Sequence, residues 1–145
     1  LTLLDANALL SLLLGQPAEE RVSSLLHRGN CAIPAACLAE VIDALIRTHG
    51  IEPSSVSERL GALINEVLAV LPMDQRTAWR AGELRAAHYH RTKAALSLAD
   101  CLLLASAAGT DDEIATSDSA VIATARKLEV SVVVLPNAKG QMPEH

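Results

Sequence analysis

Four carboxylates sit in stretches that are otherwise almost wholly apolar: Asp5 in LTLLDANALL, Glu40 in AACLAEVIDALI, Asp100 in ALSLADCLLLASAAG and Asp118 in EIATSDSAV. A buried ionised carboxylate is costly without a partner, so such acids need a reason. Taken one at a time, each has a structural one. Asp5 and Asp118 directly precede helical patterns and suit N-caps. Ser97 and Asp100 match the S-x-x-[DE] capping box, and Glu40 fits the solvent side of its helix. Taken together they allow chemistry. Two acids end short strands and two lie in apolar helices. If the fold gathers them, four carboxylates about 5 Å apart repel by roughly 3 kcal/mol per pair at an effective dielectric of 20. A cation must then neutralise them. Oxygen donors with no Cys or His in the pattern point to Mg²⁺, with Mn²⁺ as the substitute, rather than zinc. Asp43, three residues after Glu40, shares its side of the helix; it reads better as a surface residue than as a fifth ligand.

The elements that must position these acids follow from the pattern of the chain. Short apolar runs (Thr2–Leu4, Cys31–Ile33, Leu68–Leu71, Glu113–Thr116 and the β-branched 130–135) alternate with longer helical stretches. The helices are expected over 6–14, from Pro17 to about His27, from Pro34 or Ala35 to about His49, from Pro53 to about Val67, after Asp74, over 97–108 and over 119–128. This order gives an α/β fold: one domain over 1–145, a short-stranded parallel sheet with helices on both faces, and an irregular, exposed tail over 136–145. In such sheets ligands bind beyond the carboxyl ends of the strands, where Asp5 and Asp118 fall.

Composition narrows the field further. The chain of 145 residues has a Leu- and Ala-rich core with one Trp, one Tyr and no Phe. No apolar run is long enough to cross a bilayer and no secretory leader is visible, so a cytoplasmic protein with no membrane association is expected. Cys31, Cys37 and Cys101 fit neither a disulfide framework nor a zinc spacing and read as small buried hydrophobes. The five His residues have no metal spacing and read as ordinary surface residues. The net charge of −5 argues against broad electrostatic attraction to nucleic acid. A phosphate-bearing substrate then needs a local basic patch. The densest one is RAAHYHRTK, with Arg85, Arg91 and Lys93 as nucleic-acid-binding candidates and Tyr89 as a stacking platform; a solvated helix end is the alternative.

The motifs LLDANALL, LAEV, LSLADCLLLA and ATSD, in this order and spacing, resemble the PIN domain and, within it, the VapC-type toxins of bacterial toxin–antitoxin pairs. The resemblance spans almost the whole chain. It implies a three-layer α/β/α fold and one or two Mg²⁺ ions held by Asp5, Glu40, Asp100 and Asp118 as catalytic residues. It implies endonucleolytic hydrolysis of RNA by metal-activated water, leaving 5′-phosphate and 3′-hydroxyl ends. Asn7 and Thr116 fall where the family often carries small polar residues that orient an acid or a bound water. A VapB-type antitoxin is the implied partner, and the Leu- and Ala-rich helices suggest a homodimer. Two features depart from the pattern: Cys101 follows Asp100 where a polar residue would be unsurprising, and the helices between Pro53 and Lys93 carry no matching motif. Three other readings stay open. One is a PIN-type processing or decay nuclease outside a toxin–antitoxin pair, and another a PIN-like domain that binds RNA or protein without cutting. The third, a phosphatase of the haloacid dehalogenase type, is disfavoured because its second Asp is replaced here by Asn7.

Overall fold

The computed structural model describes residues 1–143. Five parallel strands form one sheet in the order β3-β2-β1-β4-β5, with β1 Thr2–Leu4, β2 Cys31–Pro34, β3 Leu68–Leu71, β4 Glu113–Thr116 and β5 Ser131–Val134. Each strand has three or four residues. Every residue of β1 and β2 is buried, as parallel strands covered on both faces require, whereas the edge strands β3 and β5 are partly exposed.

Seven helices connect them: α1 Ala6–Leu14, α2 Glu19–Arg28, α3 Ala35–Asp43, α4 Pro53–Glu66, α5 Gln75–His88, α6 Leu98–Ala107 and α7 Ser119–Lys127. From β1 the chain steps outward to β2 and β3, then returns past β1 to β4 and β5. Right-handed crossovers therefore place the helices before β3 on one face and those after it on the other, giving α/β/α layers. Strand order reverses between β1 and β4, and the crevice at their carboxyl ends is where such sheets bind ligands. The local signals explain the boundaries. The Gly29-Asn30 turn takes positive φ at both residues (84° and 62°), conformations open to Gly and tolerated by Asn. Pro34 closes β2, where no further N–H is needed, and α3 starts at Ala35.

Three expectations change. The helix begun at Ala35 does not run on as α-helix to His49; from Ala44 to Thr48 it widens into a π turn, with the His49 N–H donating to Ala44 O at 3.0 Å. Val41 and Leu45 stay buried across this change, so apolar spacing alone does not reveal it. The helix after Pro17 starts at Glu19, with Glu19 and Glu20 at its N-terminus and His27 and Arg28 at its C-terminus, an arrangement that complements the helix dipole. The segment after β5 has neither helix nor strand through Pro143, but it is not simply exposed. The Asn137 Oδ1 accepts from the backbone N–H groups of Lys139 and Gln141, forming a turn, and Pro143 is buried. Glu144 and His145 lie outside the described residues. All three cysteines are free and buried. Among the described residues no helix is long and apolar enough to cross a membrane.

Candidate active site

Asp5 is the first residue after β1 and the N-cap of α1. Its N–H donates to Ala115 O at 3.3 Å, stitching it to β4 across the reversal point. Its Oδ1 accepts the Ala8 N–H at 2.7 Å, and its Oδ2 accepts the Thr116 hydroxyl. Thr116 is fully buried at the end of β4, and its Oγ1 also accepts the Asp118 N–H at 3.0 Å. Thr116 thus links the two strand-end acids. Asp118 caps α7, its Oδ1 accepting from Ala120 at 2.8 Å and Val121 at 3.1 Å.

Asp100 enters from α6. Ser97 Oγ accepts the Asp100 N–H at 3.0 Å, and Asp100 Oδ2 accepts the Ser97 N–H at 2.9 Å, the full capping box. Ser97→Ala is expected to destabilise the protein by about 1 kcal/mol, with Ser97→Thr restoring most of it. Urea melts of the three proteins check this; equal midpoints would contradict it. Glu40 projects from α3 at the exposed rim.

The structural and functional readings of these acids therefore coexist. Asp5, Asp100 and Asp118 all cap helices. Yet among the described residues nothing donates to Asp100 Oδ1, Asp118 Oδ2 or either Glu40 oxygen.

The electrostatics place the acids near one another. Asp5 is 4% exposed, and burial pushes its carboxyl up to about 7, with the Asp100 and Asp118 charges adding to the rise. The hydrogen bonds from Thr116 and Ala8 pull the other way. Asp100 is raised first by burial and further by the Asp118 charge, against the stabilising Ser97 bonds. Glu40 is raised by partial desolvation and by Asp100, although its side chain is exposed overall. The buried Cys37 thiol, on α3, is pushed far up by burial and then by Asp5, Glu40 and Asp100. It stays protonated and is no ligand.

Whether this set fits a metal turns on its donors. All four are carboxylates and four of their oxygens carry no hydrogen bond among the described residues, donors of the kind a hard divalent cation takes. Among the described residues, however, no group of three or more His, Cys, Asp or Glu side chains is arranged so that it could hold a metal ion as it stands.

The other candidates fall in different places. Asn7 is exposed on the first turn of α1 and lines a cleft of about 410 Å³ together with Asp118. Asp43 pairs with Arg47 through two bonds of 3.0 and 2.8 Å at the surface, a partner that accounts for it without a metal. Arg85 is half-buried; its Nε donates to Leu96 O at 2.9 Å and its guanidinium lies 4.5 Å from the Tyr89 ring centroid. It braces the approach to α6, and it covers a face of the ring expected to stack on a base. Arg91 and Lys93 are exposed in a tight turn whose backbone N–H groups at Thr92 and Lys93 donate to His90 Nδ1. A larger hollow of about 540 Å³ around Trp79 and Arg80 on α5 contains none of the four acids. The acids, rather than the volume, mark the chemistry.

Sequence reasoning missed His49, Ser117 and Ala138, which also line the Asn7 cleft. His49 is brought there by the π turn, which leaves no periodic signal.

Comparison with known proteins bears on the fold and the family. No curated protein matches the chain. Solved structures share its fold. One is VapBC2 from Rickettsia felis bound to a promoter DNA fragment (16% identity, 91% of this chain and 96% of that one, TM-score 0.66). FitAcB from Neisseria gonorrhoeae is similar at 21% identity, 91% and 96% coverage and TM-score 0.62. So is Mycobacterium tuberculosis VapC20, a sarcin–ricin loop cleaving toxin, at 18% identity, 85% and 94% coverage and TM-score 0.64. The sequence profile of the PIN domain matches residues 2–127, so the chain belongs to the PIN domain family.

Proposed function

We propose that this protein is a Mg²⁺-dependent endoribonuclease and the toxin of a type II toxin–antitoxin pair. One observation carries the nuclease reading: Asp5, Glu40, Asp100 and Asp118 belong to four separate elements, yet the charges of Asp100 and Asp118 act on Asp5, that of Asp118 on Asp100 and that of Asp100 on Glu40, each raising the carboxyl it acts on. A structural role would need the helix caps alone; it gives no reason to crowd acids that penalise one another. Asp5, Glu40, Asp100 and Asp118 would hold the cation. When bound, Mg²⁺ supplies an acidic water and neutralises charge building on the phosphate. Thr116 holds Asp5 and Asp118 in register, and the Ser97 capping box fixes Asp100. No side chain is required as a covalent nucleophile.

The toxin reading is supported by the similar folds of VapBC2 and FitAcB and of the cleaving toxin VapC20. We propose RNA as substrate, a VapB-type antitoxin as partner and the cytoplasm as location. A homodimer is also proposed, supported by the exposed Trp79 and Leu98. Induced expression in a bacterial host should arrest growth, Asp118→Asn should not, and co-expression of the small gene beside this one should restore growth. Arrest by both forms would remove the acids from the account. Arrest that the neighbouring gene does not relieve would favour a processing or decay nuclease.

Arg91 and Lys93 remain the RNA-binding candidates. Arg91→Ala with Lys93→Ala is expected to weaken RNA binding several-fold at low salt and to reduce the slope of log K against log salt by about 1 to 2. Fluorescence anisotropy at several salt concentrations checks this. An unchanged slope would remove the patch.

A further inference from the structure

The cleft beside Asp118 has a composition that the carboxylate chemistry does not require. It runs along one face of α1, where Asn7, Leu10 and Leu14 follow at helical spacing, and its other walls include His49, Ser117 and Ala138. Its volume of about 410 Å³ falls in the range of small-ligand sites. No Lys or Arg lines it, so it is no phosphate subsite. Among the described residues the Asn7 amide, the His49 imidazole and the Ser117 hydroxyl make no side-chain hydrogen bond, so their polar atoms are available to a ligand. Leu10 and Leu14 are half-buried and offer an apolar wall. Two rarer features build the far side. The π turn delivers His49, and the Asn137 turn holds Ala138.

From this cleft we infer a nucleobase subsite: a neutral, flat, hydrogen-bonding ligand laid on Leu10 and Leu14, with its edge read by Asn7, His49 and Ser117. The inference rests on the nuclease reading and deepens it, because Asp118 belongs to both the cleft and the acid cluster. The base recognised is thus that of a nucleotide next to the bond cut. Single-stranded RNA with splayed bases is the substrate class that fits. The cleft then sets sequence preference, while the acids set the reaction.

Nucleosides test this without phosphate or metal. Adenosine, guanosine, cytidine and uridine are titrated into the ¹⁵N-labelled protein in EDTA and followed by NMR. The expected result is saturable shifts at Asn7, Leu10, Leu14, His49 and Ser117, with one or two nucleosides preferred. Ala138→Trp, which fills the cleft from an exposed turn, should abolish the shifts, and His49→Ala should weaken binding about tenfold. No saturable shifts, shifts elsewhere, or binding unchanged in both variants would overturn the subsite. Saturable shifts in the cleft of a protein that cuts no RNA would keep the subsite and refute the nuclease. Metal-dependent cutting whose sequence preference survives Ala138→Trp would keep the nuclease and refute the subsite.

Discussion

Asp5→Asn lowers RNA cleavage about a thousandfold at saturating Mg²⁺ and leaves the protein folded. The first half follows from charge. Asp5 is the most buried of the four acids, and an amide there offers a cation a neutral oxygen in place of an anionic one. Removing one group that stabilises charge in a phosphoryl or acyl transition state typically lowers the rate by about 10²–10³-fold, and a lost metal ligand sits at the upper end. The second half follows from capping. Asparagine is as good an N-cap as aspartate: its Oδ1 can accept the Ala8 N–H as Asp5 does, while its NH2 takes the place of Oδ2 and donates to the Thr116 hydroxyl, which must turn its own proton elsewhere. Single-turnover cleavage of a labelled RNA, beside circular dichroism of both proteins, measures the two halves separately. A folded variant within tenfold of wild type would show that Asp5 is a cap and nothing more.

The same substitution should change how stability depends on pH. The Asp5 carboxyl stands at about 7 in the folded protein against 3.8 ordinarily. Below pH 3.8 both states are protonated and Asp5 makes no difference to the pH dependence. Between 3.8 and about 7 the unfolded chain releases this proton while the folded chain keeps it, so stability falls as pH rises. The contribution, about 4 kcal/mol, is fully present below pH 3.8 and lost as pH rises through about 7. Glu40 and Asp100 are also raised and act in the same direction, whereas the exposed Asp43 and Asp74 are lowered and act against it. The difference between wild type and Asp5→Asn isolates Asp5. In EDTA, urea melts at pH 4 and pH 8 should show wild type losing about 4 kcal/mol more than the variant over this interval. Mg²⁺ should return part of that loss at pH 8 to wild type alone, since a ligand that binds only the folded state stabilises it. Equal losses would mean that Asp5 is not held in the environment described here.

Much of this was readable from residue order. Asp5 and Asp118 follow apolar runs too short for helices, so a parallel sheet had to bring them to one edge. Thr116, two residues before Asp118, had to lie at the same strand end. The caps and the box at Ser97 are local patterns with local causes, and they appear where the sequence puts them. What escaped depends on contacts that apolar periodicity does not reveal. The Arg85 guanidinium sits over Tyr89 and its Nε donates to Leu96 O, contacts that residue type alone does not announce. The widening at Ala44–Thr48 leaves Val41 and Leu45 buried, so nothing in the apolar pattern foretold that His49 would reach the cleft. The Asn137 turn is held by local bonds to the Asn137 side chain, and Pro143 is buried, in a segment that has no periodicity to announce either.

The central claim is that these carboxylates cut RNA with a divalent cation, and one measurement addresses it most directly. Total cellular RNA is incubated with purified wild type and with Asp100→Asn, in Mg²⁺, in Mn²⁺ and in EDTA, and the fragment ends are sequenced. Discrete fragments from wild type with metal, and none from the variant or in EDTA, are the predicted result. Equal cleavage by both proteins, or no cleavage by folded wild type free of any antitoxin, would contradict it.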